Sequence, residues 1–445
     1  MDRSLLGEAM PDTRKRARRL STPLVVGGAA AIAALVIALI VFVIASPSGP
    51  RTKAAAPTVG YQVEVAEYSD GSLEFGGTGP SLWAVTTMGN LDLSSDGGSS
   101  WHQSTTPVSL SGLYEPEFSV GTLGTTVWLV APNSGVDYLY TSAKDGQTWT
   151  QGVVIPTAAP GHPLLKTIQG TNVQGTNLVH VDLVTAELGY VAIDHFYQAT
   201  DAESTLDQST NGGISFVATS LPNFGPVSFE NSTDGFLVGG GGTQFAYATD
   251  NAGKSWTDIV VKPSIDAGWR VGTPVEISGT TFVIPVTAYP TGQTTSLSLM
   301  GWNFSSMANP SDAATSPVPA ATRLPITKAT SAARSTAVGT PLKLGATGNA
   351  LVVASGRKLM VTESSDGQAV LHSDDAGQTW TSTSSQGLPP GWGVHSLVMT
   401  GPTSAVAGVS YSSCDGYKGK TSGCTTESAL YSTANGGASW DQVQL

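Results

Sequence analysis

Residues 373–380 read SDDAGQTW, and five further stretches fit the same eight-residue frame: 94–101 SSDGGSSW, 142–149 SAKDGQTW, 209–216 STNGGISF, 249–256 TDNAGKSW and 433–440 TANGGASW. The first position is a hydroxyl residue: Ser94, Ser142, Ser209, Thr249, Ser373 and Thr433. The third is Asp96, Asn211, Asn251, Asp375 or Asn435, the copy at 142–149 departing with Lys144 followed by Asp145. The fifth is Gly98, Gly146, Gly213, Gly253, Gly377 or Gly437, and the eighth is Trp101, Trp149, Phe216, Trp256, Trp380 or Trp440. This is turn chemistry. An Asp or Asn side chain bonds backbone N–H groups two residues on, and Gly enters the left-handed region where a Cβ would clash. The aromatic then opens a new strand and is expected to be buried between layers, so that Trp380→Ala costs about 3–5 kcal/mol. Alternating apolar residues precede the turns, as in Asn90-Leu91-Asp92-Leu93 and Gln244-Phe245-Ala246-Tyr247, which reads as a strand entering a hairpin.

The frame S-x-D-x-G-x-T-W resembles the Asp-box, or BNR, repeat of β-propellers. The chain is also similar to the photosystem II assembly factor-like propellers, whose blades carry F-x-x-x-x-x-G-[FWY]-x-[AV]-G ahead of the box. Phe229 to Gly239 fits that phrase, and Leu183 to Ala192 fits it more loosely. The resemblance covers roughly residues 60–445 and implies an all-β Asp-box propeller. The eighth positions are spaced by 48, 67, 40, 124 and 60 residues, so a blade without a readable repeat is expected between 257 and 345. Since propellers have about four to eight four-stranded blades, the spacing predicts seven, with six as the alternative. Residues 303–340, rich in Ala, Ser, Thr and Pro, read as a long surface insertion. Two closures of the ring are open: packing alone, or a strand from Tyr61–Val65 added to the last blade.

The chain has 445 residues with 52 Gly and 26 Pro, but only 12% charged residues, against about 25% in an average domain. Residues 1–22 hold six cations (Arg3, Arg14, Lys15, Arg16, Arg18 and Arg19) and three anions, leaving 15 of the 21 cations and 30 of the 33 anions for the rest. So acidic a body repels phosphates and excludes nucleic acid as the natural partner. From Leu24 to Ala45 all 22 residues are apolar or Gly, enough at about 1.5 Å per residue to cross a hydrocarbon core of about 30 Å. The segment is too long for a cleaved signal and Ala45-Ser46-Pro47-Ser48 is a poor cleavage site, so it reads as an uncleaved anchor. The preceding basic cluster keeps the N-terminus cytoplasmic. The predicted organisation is a basic tail at 1–22, one N-terminal transmembrane helix at 23–46, a flexible stalk at 47–59 and an extracytoplasmic propeller at 60–445. In an oxidising compartment Cys414 and Cys424, in a polar Gly-rich loop, are expected to form a disulfide.

No catalytic, cofactor-binding or metal-ligating residue is assigned. Asp boxes are familiar in sialidases, which clamp the substrate carboxylate with three arginines, but beyond the stalk this chain has only Arg270, Arg323, Arg334 and Arg357. The six histidines (102, 162, 180, 195, 372 and 395) form no metal-binding motif. Gly239–Gly242 lacks the Lys of a phosphate-binding loop and reads as a hairpin glycine run. The densest polar-aromatic mix, Asp194-His195-Phe196-Tyr197 with Asp201 and Glu203, reads as solvated loop. The function expected from these features is a membrane-anchored scaffold for a protein or glycan ligand. The alternative is an exported glycoside hydrolase, sialidase-like or xyloglucanase-like.

Overall fold

The computed structural model describes residues 73–445 apart from 114–116, 134–135, 156–175, 199–200, 240–244, 262–267, 290–295, 305–331, 335, 344–349, 364–369 and 415–423. The basic tail, the apolar span, the stalk, Tyr61–Val65, His162 and Arg323 therefore lie outside the described residues. Among the described residues no helix is long and apolar enough to cross a membrane. The regular elements are all strands, and they form seven sheets.

Blade 1 comprises β1 (Glu74–Thr78), β2 (Ser81–Val85), β3 (Leu91–Ser94) and β4 (His102–Ser104), and blade 2 comprises β5 (Ser119–Leu123), β6 (Thr126–Asn133), β7 (Val136–Ser142) and β8 (Val153–Val154). Blade 3 is β9 (Thr176–Leu183), β10 (Gly189–Gln198), β11 (Asp201–Ser209) and β12 (Val217–Ser220), and blade 4 is β13 (Val227–Phe229), β14 (Gly235–Gly239), β15 (Phe245–Thr249) and β16 (Thr257–Val260). Blade 5 has a broken inner strand, β17 (Gly268–Val271) and β18 (Val275–Ser278), both paired with β19 (Thr281–Tyr289), followed by β20 (Ser296–Asn303). The chain then crosses back. Strand β21 (Ala332–Arg334) adds in parallel to β16 of blade 4 before β22 (Thr336–Lys343) completes blade 5. Blade 6 is β23 (Ala350–Ser355), β24 (Lys358–Glu363), β25 (Val370–Ser373) and β26 (Thr381–Ser382), and blade 7 is β27 (Gly393–Met399), β28 (Ala405–Cys414), β29 (Cys424–Thr433) and β30 (Asp441–Gln442).

The protein is thus an all-β, seven-bladed propeller, with the repeat-free blade in the gap that the spacing predicts. The last part of the Ala/Ser/Thr/Pro-rich stretch is a correction to the sequence reading, since it supplies two strands rather than loop. Ala, Ser and Thr are small enough for an edge strand, and composition alone does not encode pairing.

Inner strands meet around the ring: β27 touches β1, β1 touches β5, β5 touches β9, β9 touches β13, and β23 touches β27. Blades 1 and 7 are each built from one contiguous segment, so among the described residues the ring closes by packing, without strand exchange. The hydrophobic core lies in the seams. Trp128, Val130 and Leu139 of blade 2 pack with Val179, Val181 and Val191 of blade 3, whose other face gives Tyr190, Ala192 and Leu206 to Val227, Phe229 and Leu237 of blade 4. A blade held between two others buries both faces, which is why β2 (SLWAV) and β23 (ALVVAS) are buried throughout instead of alternating.

Candidate functional site

The six octapeptides join the third and fourth strands of blades 1, 2, 3, 4, 6 and 7. In blade 1 Ser94 Oγ accepts from the Gly98 N–H at 2.9 Å and donates to Asp96 Oδ1 at 2.9 Å. Asp96 in turn accepts from the Ser100 N–H at 2.9 Å and the Ser100 hydroxyl at 2.7 Å. Blades 3, 4, 6 and 7 repeat the first-position and backbone contacts through Ser209–Asn211–Ser215, Thr249–Asn251–Ser255, Ser373–Asp375–Thr379 and Thr433–Asn435–Ser439; Asp375 also accepts from the Thr379 hydroxyl, whereas the Nδ2 of Asn211, Asn251 and Asn435 donates to the Ser hydroxyl. The third residue therefore reaches four residues on, rather than the two read from the sequence. Two consecutive left-handed residues, such as Ala376 (φ 62°) and Gly377 (φ 85°), fold the seventh residue back over it. The hydroxyl and N–H of Thr379, with the Ser373 hydroxyl, hold the half-buried Asp375 carboxyl at about 2.

Two further contacts tie each turn into the ring. The fourth-position N–H donates to a carbonyl between the first two strands of its own blade, from Gly97 to Pro80 and from Ala376 to Arg357, both at 2.8 Å. The fifth-position Gly sits against the preceding blade: a Cβ there would lie 2.3 Å from Leu139 at Gly213, 2.3 Å from Leu206 at Gly253 and 2.2 Å from Leu299 at Gly377. In the variant copy, Asp145 takes the left-handed fourth position (φ 53°) and faces His102 of blade 1, whose Nε2 lies 2.8 Å from the Asp145 carbonyl and 3.7 Å from its carboxylate. Of the eighth-position aromatics, only Trp256 and Trp440 are buried; Trp101, Trp149, Phe216 and Trp380 are half-buried, contrary to the sequence expectation. They still pack against the seams, Phe216 edge-on to Trp128 of blade 2 and Trp380 against the cluster between blades 5 and 6, while the Trp101 Nε1–H bonds to the Gly98 carbonyl.

The densest buried polar group lies between blades 3 and 4. On one face of blade 3, Asp182 and His180 of β9 stand beside Tyr190 and Asp194 of β10, all four titratable and all deeply buried. Asp182 Oδ2 accepts from the Phe229 N–H, and Asp194 Oδ2 from the Gly225 N–H at 3.0 Å. These N–H groups belong to the free inner edge of blade 4, so the carboxylates cap an edge with no strand partner. Both ring nitrogens of His180 are buried without a hydrogen-bond partner, and burial holds its pKa at about 3. Burial pushes Asp194 up to about 7 against the opposing Ser204 and Gly225 donors, and Asp207, on the opposite face, also to about 7 against Thr205. Asp194 is therefore a seam residue within a ten-residue strand, a correction to the solvated-loop reading of 194–197. Sequence reasoning missed Asp182 and His180, although an acid and a histidine alternating with Val179 and Val181 was the available signal.

The described arginines stand apart. Arg270 is on the broken inner strand of blade 5, Arg334 on the outermost strand added to blade 4, and Arg357 on the β23–β24 turn of blade 6. His102, His180, His195, His372 and His395 are spread over blades 1, 3, 6 and 7, and the described residues contain no cluster of three or more His, Cys, Asp or Glu suited to a metal. Gly239 ends β14, while 240–242 lie outside the described residues. On the rim opposite the octapeptide turns, the hairpins β10–β11 (strands of 10 and 9 residues), β19–β20 (9 and 8) and β28–β29 (10 and 10) are much longer than β2–β3 (5 and 4) or β14–β15 (5 and 5). Cys414 and Cys424 lie on strands, not in a loop, directly opposite each other at the far end of β28–β29.

The architecture defines the class as a seven-bladed β-propeller. No family model matches the sequence, and no curated protein matches it. Among solved structures, YCF48 from Cyanidioschyzon merolae is similar at 15% identity over 78% of this chain and 95% of that one, with a TM-score of 0.43. A structure of YCF48 bound to D1 peptide is similar at 14% identity over 78% and 94%, also at 0.43. The GH74 xyloglucanase of Xanthomonas campestris is similar at 12% identity over 84% of this chain and 55% of that one, with a TM-score of 0.28. The propeller is established by the seven sheets themselves, and none of these likenesses transfers a function.

Proposed function

We propose that the chain is a membrane-anchored, extracytoplasmic binding or assembly scaffold that grips a protein or glycan through the long hairpins on one rim. The observation that carries this reading is the asymmetry of the two rims. On one, the polar atoms of the octapeptides are engaged within the turns. On the other, three hairpins extend well beyond the shorter blades, and binding is commonly placed on such projections from a rigid scaffold. The uncharged segment Leu24–Ala45 and the basic residues before it supply the anchor and its orientation.

The test uses the full-length chain in detergent, with a glycan array, fluorogenic sialosides and xyloglucan oligosaccharides, and chemical crosslinking in native membranes. Saturable binding or a discrete crosslinked protein, lost when the β28–β29 arm is shortened, supports the scaffold. Turnover of a glycoside that disappears with Asp201→Asn or Glu203→Gln would replace it by a hydrolase. Protease added to intact cells should digest the propeller and spare the N-terminus; protection of the propeller would reverse the orientation.

A further inference from the structure

Among the described residues, five of the octapeptides are followed by outer strands that end a sheet, and four of these strands are stubs: β4 has three residues, and β8, β26 and β30 have two each. Only β12 and β16 reach four residues. The outer edge of β16 is covered by β21, paired in parallel with Asp258 opposite Ala332 and Val260 opposite Arg334. The equivalent edge of β12, at the end of the sheet order in blade 3, carries no strand among the described residues. The hydrogen-bond alternation fixes which groups it offers. Leu221 N–H bonds to the Ser204 carbonyl, and Thr219 and Val217 pair in the same phase with Leu206 and Gln208. The N–H and C=O groups of Ala218 and Ser220 therefore point away from β11.

This edge lacks the usual protection. Val217-Ala218-Thr219-Ser220 contains no charge and no Pro, the devices that keep edge strands from pairing. Ile214 is 73% exposed and Val217 66% exposed. The other five copies carry Ser, Gln, Lys, Gln and Ala at the position of Ile214, and His, Thr, Thr, Thr and Asp at that of Val217. Blade 3 thus combines a longer open edge with two apolar side chains where its sister turns are mostly polar.

We propose that the outer edge of β12 is a docking site for an extended segment of a partner protein, which adds as a fifth strand parallel to β12. The quasi-equivalent blade shows the occupant: β21 is an extended run of small residues with one cation, Arg334. A partner segment of small and β-branched residues with a basic flank suits an edge that bonds through its backbone, presents Ile214 and Val217, and belongs to an acidic body. A second copy of this chain is a poor occupant. Two-fold pairing of identical edges is antiparallel, four residues a side bury far less than the roughly 1,200 Å² of a stable interface, and two acidic bodies repel. The site stands independently of the rim hairpins.

The probes are two labelled peptides, one with the sequence 330–336 (TSAARST) and the same peptide with Ala333→Val, titrated into the full-length chain in detergent and followed by fluorescence anisotropy. Saturable binding is expected, several-fold tighter for the Val peptide, with slowed amide exchange at Ala218 and Ser220. Ala218→Pro removes one outward N–H while leaving the ladder to β11 intact and should weaken binding at least tenfold. Val217→Lys, which leaves the backbone unchanged, should also weaken it and serves if the proline variant does not fold. No binding at millimolar peptide, or binding that neither substitution changes, overturns the site. Self-association by sedimentation that Ala218→Pro abolishes also overturns it, assigning the edge to a second copy.

Discussion

The fifth-position glycine answers two demands at once, and they can be separated by substitution. At Gly377 the backbone is left-handed (φ 85°) and an added Cβ would sit 2.2 Å from the buried Leu299 side chain; at Gly436 it is left-handed (φ 70°) with nothing within 4 Å. A left-handed Ala costs about 1–2 kcal/mol and overpacking a further 1–3 or so. Gly377→Ala should therefore destabilise by about 2–5 kcal/mol and Gly436→Ala by about 1. Ala252 and Ala376 already occupy the position of Gly436 at φ 62°. Equal urea midpoints for the two variants would remove the docking role of the fifth residue. The aromatics divide similarly: Trp256→Ala should approach the cost of about 3–5 kcal/mol for a buried ring, and half-buried Trp380→Ala about half of it. The repeat made the turn legible in the sequence, but not its partner, because Leu299 and Gly377 belong to different blades and no local pattern links them.

At the scale of the element, an innermost strand has an edge with no neighbour in its own sheet, and in blades 2, 3 and 4 side chains from the preceding blade accept from N–H groups along it. Ser81 Oγ accepts from the Gly124 N–H at 2.8 Å and Ser119 Oγ from the Val181 N–H at 3.1 Å. Blade 3 uses carboxylates for the same purpose, which makes its seam responsive to pH. Asp194 and Asp207 are near 7 when folded against 3.8 unfolded, so the folded state retains protons that the unfolded chain releases, and stability falls as pH rises through 7. His180 and His395, at about 3 and about 4 against 6.5, act in the opposite sense, and their contribution is lost as pH falls below 6.5. The melting temperature should thus rise from pH 8.5 to 6.5 and level off below. Asp194→Asn, which keeps an acceptor for Gly225, should remove about half of that rise, the rest belonging to Asp207; an unchanged profile would exclude Asp194 as its source. The sequence singled out Asp194 but misplaced it, since hydropathy cannot tell a solvated acid from one that caps the edge of another blade. The cysteines reverse that lesson. Cross-strand neighbours lie about 4.5–5.5 Å apart at Cα, within the roughly 4.4–6.8 Å that a disulfide spans. Chain isolated without reductant should therefore be two hydrogens lighter by mass than the reduced one and should react with maleimide only after reduction.

For the whole molecule, the spacing of the repeats already implied the blade count, because a gap of 124 residues accommodates two blades. How the blades are fastened was not legible, since the fastening depends on strand pairings in a composition-biased stretch. Blades 4 and 5 are interlocked by β21, which belongs by sequence to the region completing blade 5 and by pairing to blade 4. Blades 7 and 1 share no sheet and meet through side-chain packing, with Gly98 against Val406 and Gly97 against Thr400. Opening the first boundary breaks the backbone hydrogen bonds between β16 and β21 as well as side-chain contacts; at the second, no strand pairing joins the two blades among the described residues. Local openings follow the weakest boundary, so the lowest-energy subglobal opening should separate blade 7 from blade 1. Native-state amide exchange should then give β1 and β27 a smaller opening free energy than β14 and β15, whose protection approaches the global value. Equal protection across both boundaries would mean that the ring is locked at its ends as well. Slow exchange concentrated on the outer strand β30 would identify the lock as a strand paired there, the role that the sequence left open for Tyr61–Val65.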